Sequence, residues 1–320
     1  MTDANGAAIR TRGLTKFYGT KRGIVDVDLE IHAGEIFGYL GPNGSGKSTT
    51  IRLLLDLIRP TRGSAEVLGH DAHEAPLDLK RRIGFLPGEM ALYERMTGRD
   101  MLRYFAYLRG MRDLGDADTL AERLEADLSR PIRSLSRGNK QKVGIVQALM
   151  HRPALAILDE PSSGLDPLVQ QEFYRILREV RADGRTVFLS SHVLAEVEHT
   201  ADRVAILRHG HPVVISGLAE LKAQALRKIE LYFSAPVSPQ EFSRLPSVRG
   251  VRAENSMLEL VVEGMVDDII KVASRYRVEN VISREQDLEE VFLTYYHDET
   301  DDQAATPPTP VAAGTAGEDG

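Results

Sequence analysis

Residues 41–49 read Gly41-Pro42-Asn43-Gly44-Ser45-Gly46-Lys47-Ser48-Thr49. The spacing GxxxxGK[ST] is short but restrictive, because it has physical meaning only between a buried strand and a helix. Both flanks are present: Ile36–Leu40 is an apolar strand candidate, and residues 48–58 follow helical spacing. The glycines let the backbone curl until several N–H groups point inward at phosphate oxygens. The helix N-terminus adds partial positive charge. Lys47 is then placed to reach terminal phosphates, and the Ser48 hydroxyl to ligate Mg²⁺. At this composition the pattern is expected by chance less than about once in a hundred such chains. It reads as a nucleoside triphosphate site, against the alternative of a glycine-rich turn with a solvated lysine.

The chain up to about residue 217 alternates apolar strands with periodic helices. Residues 154–158 and 186–190 and Arg203–Arg208 are strand candidates, and residues 168–182 and 193–199 are helix candidates. Such alternation predicts a largely parallel sheet covered by helices. Residues 89–150 are nearly strand-free and read as a helical insert, in which Met101, Tyr104, Phe105 and Leu108 follow helical spacing. Leu102 and Tyr107 lie off that face, so this helix and the loop at 88–93 form a candidate socket for a partner's helix.

The strand at 154–158 runs directly into Asp159-Glu160. An apolar strand ending in carboxylates puts them at the C-terminal edge of the sheet, beside the phosphate loop. Asp159 is the candidate holder of Mg²⁺ with Ser48, and Glu160 the candidate acceptor of a proton from attacking water.

The phosphate loop, Leu135-Ser136-Arg137-Gly138-Asn139-Lys140-Gln141, Ile157-Leu158-Asp159-Glu160-Pro161, Ser163-Gly164-Leu165-Asp166 and Ser190-Ser191-His192 follow in that order. In this order they resemble the motifs of an ATP-binding cassette (ABC) ATPase, over roughly residues 9–217. The resemblance implies an α/β phosphate-loop ATPase with a helical insert, using ATP and Mg²⁺. It implies that Tyr18 stacks on adenine, that Lys47, Glu160 and His192 are catalytic, and that Ser48 and Asp159 hold the metal. It implies that Ser136, Gly138 and Asp166 complete the site of a second copy. One phosphate loop per chain then calls for a homodimer with nucleotide sandwiched between the copies. Two departures stand out. Where the family commonly carries a glutamine after Ile83–Leu86, this chain has Pro87-Gly88-Glu89, and only Glu89 offers a side chain to substitute. Arg137 stands where glycine is usual in the signature, and Asn139-Lys140 replace polar amides, adding positive charge near a bound phosphate.

A second unit follows, with strands expected at 228–233, 248–253, Met257–Val262 and 278–283 and helices at 239–245 and 266–275. The order βαββαβ predicts a small ferredoxin-like α+β domain, and a further helix is expected at 288–296. The expected domains are 1–220 for the ATPase, 221–297 for the accessory unit and 298–320 for a disordered, acidic and Pro/Ala/Thr-rich tail. The accessory unit resembles the extension on ATPase subunits of some bacterial exporters, which favours an exporter over an importer; the single cassette without a coiled coil sets aside a soluble ATPase of nucleic acid or ribosomes.

There is no cysteine, which excludes disulfide scaffolds, thiolate metal sites and thiol nucleophiles. No apolar run approaches the roughly 20 residues that cross a bilayer, and the first residues lack a signal-peptide pattern. The expectation is a cytoplasmic protein, peripheral on the inner face of the cell membrane through a separate multi-span permease. The net charge of −7 first argues against nucleic acid. It is misleading: ten acids and no Lys or Arg follow Arg284, leaving 40 basic residues against 37 acids, or +3, over 1–284. No nucleic-acid partner is expected for a different reason, the single cassette without a coiled coil.

Overall fold

The computed structural model describes residues 6–90, 93–224 and 227–285. The expected helix at 288–296 and the tail at 298–320 lie outside the described residues. The chain begins with two long strands, β1 (Ala7–Tyr18) and β2 (Lys21–His32). Next come β3 (Ile36–Leu40), α1 (Lys47–Leu54), β4 (Arg62–Val67), β5 (His70–Asp71), α2 (Leu77–Arg81) and β6 (Ile83–Leu86). The helical insert holds α3 (Gly98–Leu108), α4 (Ala117–Arg123) and α5 (Arg137–Leu149). The chain returns through β7 (Leu155–Asp159), α6 (Pro167–Ala182), β8 (Thr186–Ser191), α7 (Leu194–Thr200), β9 (Arg203–Arg208), β10 (His211–Gly217) and α8 (Leu218–Gln224).

A six-stranded sheet in the order β10-β9-β3-β8-β7-β6 forms the centre. It is parallel from β9 to β6, and β10 closes the edge antiparallel. The parallel strands are buried on both faces, which is why β3, β7 and β8 read as near-continuous apolar runs. One core lies between this sheet and the insert, built on Met101, Leu102, Val143, Val146, Leu158 and Phe173. A second lies between it and a smaller antiparallel sheet, β2-β1-β4-β5, built on Ile9, Ile24, Phe37, Tyr39, Ile51 and Phe188. Sequence reasoning did not anticipate that antiparallel sheet. In β1 the register shifts repeatedly against β2, so buried residues fall in adjacent pairs rather than alternating.

The structure also reassigns the faces of α3. Met101, Leu102 and Ala106 are buried, whereas Tyr104, Tyr107 and Leu108 are exposed. Leu102, expected off the buried stripe, is inside it.

The remaining elements are β11 (Arg227–Phe233), α9 (Pro239–Ser243), β12 (Val248–Glu254), β13 (Met257–Val262), α10 (Asp267–Ala273) and β14 (Val278–Glu285). They follow the expected βαββαβ order and form an antiparallel sheet ordered β12-β13-β11-β14 around their own core of Ile229, Leu231, Phe233, Phe242, Leu260 and Ile269.

Candidate functional site

Three neighbouring strands of the central sheet end at one place. β3 leads into the phosphate loop, β7 ends at Asp159, and β8 ends at Ser191, just before His192. Register fixes their relative heights, with Asp159 opposite Ser190 and Leu40 opposite Ser191.

The loop needs its glycines for shape and space. Gly46 has φ 111°, a conformation reserved for glycine, and a Cβ there would lie 2.5 Å from Ile24 Cγ2 and 2.9 Å from the Gly23 carbonyl. At Gly41 a Cβ would lie 2.5 Å from the Leu207 carbonyl. No side chain caps α1 at Gly46, so its first-turn N–H groups stay available to an anion.

Lys47 is only 6% exposed and points back into the loop. Its Nζ donates to the Gly41 carbonyl at 2.6 Å and the Pro42 carbonyl at 3.3 Å, and lies 3.2 Å from Glu160 Oε1. The Ser48 hydroxyl donates to Asp159 Oδ2 at 2.8 Å, and the other Asp159 oxygen takes the Ser190 hydroxyl. A hydroxyl and a carboxylate converging this closely are hard oxygen donors of the kind Mg²⁺ takes, so the residues fit that ion. Glu160 sits at φ 50°, a left-handed conformation that is strained for a non-glycine residue. It is held by its N–H to the Ser190 carbonyl at 3.1 Å and by Gln141 Nε2, which donates to the carbonyls of Glu160 and Pro161 at 3.3 and 2.9 Å. Its second oxygen lies 2.6 Å from His192 Nδ1. Lys47, Glu160 and His192 thus form one chain of polar contacts, with Ser48 and Asp159 beside it.

Tyr18 closes one side. It is exposed, with its ring and Thr49 both flanking Gly23, next to the first turn of α1. Lys16 Nζ lies 5.3 Å from the ring centroid.

Ser136, Gly138 and Asp166 do not join this cluster; they form a second patch. Ser136 caps α5 by accepting the Asn139 N–H at 3.3 Å, and Asp166 caps α6 by accepting the Val169 N–H at 3.1 Å. That backbone bond comes first in holding the Asp166 carboxyl below its ordinary range, and Lys142 adds to it. The two loops touch: a Cβ on Gly138 would meet the Gly164 carbonyl at 2.5 Å, and Arg137 donates to Ser163 Oγ at 3.1 Å. At the glutamine departure, Gly88 lies against Asp159, 3.3 Å from Oδ2 to where a Cβ would be, while Glu89 is exposed. Sequence reasoning did not single out Ser190 as a partner of Asp159, nor Glu196, a buried carboxyl one turn beyond His192. For Glu196 the available signal was an acid on the apolar side of α7.

A glycine loop with an inward lysine, an adjoining Ser–Asp pair and a Glu–His pair define a phosphate-loop nucleotide-binding protein. Residues 24–163 match the ABC transporter family model. The bacitracin transport ATP-binding protein BcrA of Bacillus licheniformis is 35% identical over 229 residues, covering 71% of this chain and 75% of BcrA. The uncharacterized ABC transporter ATP-binding protein MJ1023 of Methanocaldococcus jannaschii is 32% identical over 282 residues, covering 85% of this chain and 97% of the relative. The daunorubicin/doxorubicin resistance ATP-binding protein DrrA of Streptomyces peucetius is 35% identical over 221 residues, covering 68% of this chain and 67% of DrrA. A solved ATP-binding subunit of an ABC transporter superposes with TM-score 0.62 at 32% identity, covering 67% of this chain and 92% of that one. The dimeric cassette MJ0796 bound to ADP and Pi shares the fold, with TM-score 0.61 at 23% identity over 66% of this chain and 98% of that one. The chain belongs to the ABC transporter family and is an ATP-binding subunit with ATPase activity.

Proposed function

We propose that this chain hydrolyses ATP as a homodimer to drive a separate multi-span permease in the export direction, with residues 1–220 as the engine and 221–297 as an accessory domain. The observation that carries the dimer is the division of the site. Lys47, Ser48, Asp159, Glu160 and His192 cluster at one sheet edge, while Ser136, Gly138 and Asp166 stand apart on helix starts that suit a phosphate held by another copy. The names of BcrA and DrrA, which concern bacitracin transport and drug resistance, support export.

Lys47 binds the β- and γ-phosphates. Its ammonium lies 3.2 Å from Glu160 Oε1, so the phosphate-binding lysine and the carboxylate that accepts a proton from water share one place. His192 orients Glu160 through the Nδ1 contact. Ser48 and Asp159 would hold Mg²⁺, which when bound neutralises phosphate charge. Tyr18 supplies the adenine platform. Closure follows ATP binding by mass action, and loss of the γ-phosphate contacts reopens the dimer.

Among the described residues no helix is long and apolar enough to cross a membrane. Exposed Tyr93, Tyr104, Tyr107 and Leu108 support a permease contact at the inner membrane face. So does a cleft of about 180 Å³ lined by Leu54, Leu57, Leu79, Phe85 and Arg109.

Glu160→Gln should bind ATP, slow phosphate release by about a hundredfold or more, and accumulate dimer in sizing chromatography. Rapid turnover by that variant would refute the base assignment. Lys47→Ala should weaken ATP binding at least about tenfold; unchanged affinity by titration would refute the phosphate-loop assignment.

A further inference from the structure

Helix α7 buries one carboxyl. Glu196 is 2% exposed and faces Ser191, with Tyr174 of α6 close by. One of its oxygens accepts the Ser191 hydroxyl at 2.6 Å, and the Ser162 side chain also draws on the carboxyl. An acid so placed lowers stability, and a neutral amide would accept the Ser191 proton more weakly than a carboxylate does. The location gives the reason for it. The Ser191 carbonyl accepts the N–H of Gly41, the first residue of the phosphate loop, at 3.2 Å. The Ser191 hydroxyl oxygen accepts the N–H of Val193 at 2.9 Å. These two bonds bracket His192, the partner of Glu160. With its proton committed to Glu196, the Ser191 hydroxyl keeps its lone pairs for Val193.

We propose that Glu196 is a positioning residue for hydrolysis: through the Ser191 hydroxyl it fixes the 191–193 turn, and so the contact of His192 with Glu160, against the phosphate loop.

The carboxyl also changes charge in the working pH range. Burial pushes it up to about 7, with Ser191 and Ser162 drawing it down, Glu160 raising it and His192 lowering it. From α6, Tyr174 faces it as a neutral phenol, pushed up to about 12 by burial. Arg178 on the same helix reaches the His199 carbonyl at the far end of α7. The ionised form accepts the Ser191 proton most strongly and so holds the 191–193 turn most firmly. Turnover should therefore rise as pH increases through about 7.

The inference rests on the roles proposed for Glu160 and His192. ATPase rates of the full-length chain from pH 6 to 9 test it with Glu196→Gln, Glu196→Ala and His192→Ala, each checked for folding by circular dichroism. Glu196→Gln should keep KM for ATP within about twofold, lower kcat several-fold at pH 8, and lose the rise centred near 7. Glu196→Ala should lower kcat about tenfold or more at every pH, with KM little changed. A wild-type pH profile in Glu196→Gln, wild-type kcat in Glu196→Ala, or a loss confined to KM would overturn the proposal. Wild-type turnover by His192→Ala would instead refute the role of His192, whatever the Glu196 variants do.

Discussion

The same buried carboxyl makes a stability prediction that needs no nucleotide. Glu196 has an ordinary value of 4.5 in an open chain and is held near 7 in the fold. Between those values the folded protein binds one more proton than the unfolded chain, so stability falls as pH rises through this window. The slope is about 1.4 kcal/mol per pH unit, and across the window the loss is about 3 kcal/mol. Glu196→Gln keeps the shape and the Ser191 acceptor but cannot ionise. It should match the wild type near pH 4.5 and exceed it by about 3 kcal/mol at pH 8, on the order of 10 °C in Tm. Urea unfolding of both proteins at several pH values between 5 and 8 is the assay. Comparing them at each pH cancels His151, which pulls the other way: burial holds it at about 4, so it loses stability as pH falls from 6.5. The paired carboxyls Asp56, Asp166, Glu172 and Glu179 are all held below their ordinary values and lose stability only in more acidic solution. A stability gap that stays constant from pH 5 to 8, or a variant less stable than wild type at pH 8, would refute the burial argument.

Gly46→Ala should fold but bind ATP at least about tenfold more weakly by titration, because φ 111° and the nearby Ile24 methyl leave no room for a Cβ. Gly144→Ala should lower stability by about 1–3 kcal/mol in thermal melts. There the new methyl would sit 2.2 Å from Met90 Sδ and 2.7 Å from Leu86 Cδ1, so it should also disturb the loop that carries Gly88. Arg123→Ala should cost about 1 kcal/mol in denaturant unfolding. It removes the bridges from α4 to Glu172 and Glu179 on α6, and the loss should shrink in high salt.

The nucleotide end of the site was legible because its parts are contiguous in the chain: a glycine loop, a strand ending in two acids, a histidine after a strand. Their convergence was also legible, since parallel strands bring their C-terminal ends to one edge. What was hidden depends on distances between segments. Nothing in the local pattern ties Ser190 to Asp159, sets Gly88 against Asp159, or marks Glu196 as buried beside the histidine turn. The antiparallel sheet was half legible. In β2, Val25, Val27, Leu29 and Ile31 alternate cleanly with exposed positions, but the shifted register of β1 breaks the same signal. Leu102 was misplaced because sequence spacing fixes a helix's stripe only to within one neighbouring position, and the core of the insert selects Leu102 and Ala106 over Tyr104 and Leu108.

Asp159 is bound to Ser190 and faces it in register, while Leu40 faces Ser191, so the Asp159 carboxylate is tied to the buried parallel strands of the central sheet. Breathing of the antiparallel sheet β2-β1-β4-β5 can occur without parting that pair. Amide exchange at β3, β7 and β8 should therefore report the global unfolding free energy. In this architecture the lifetime of the Asp159–Ser190 contact is the lifetime of the sheet.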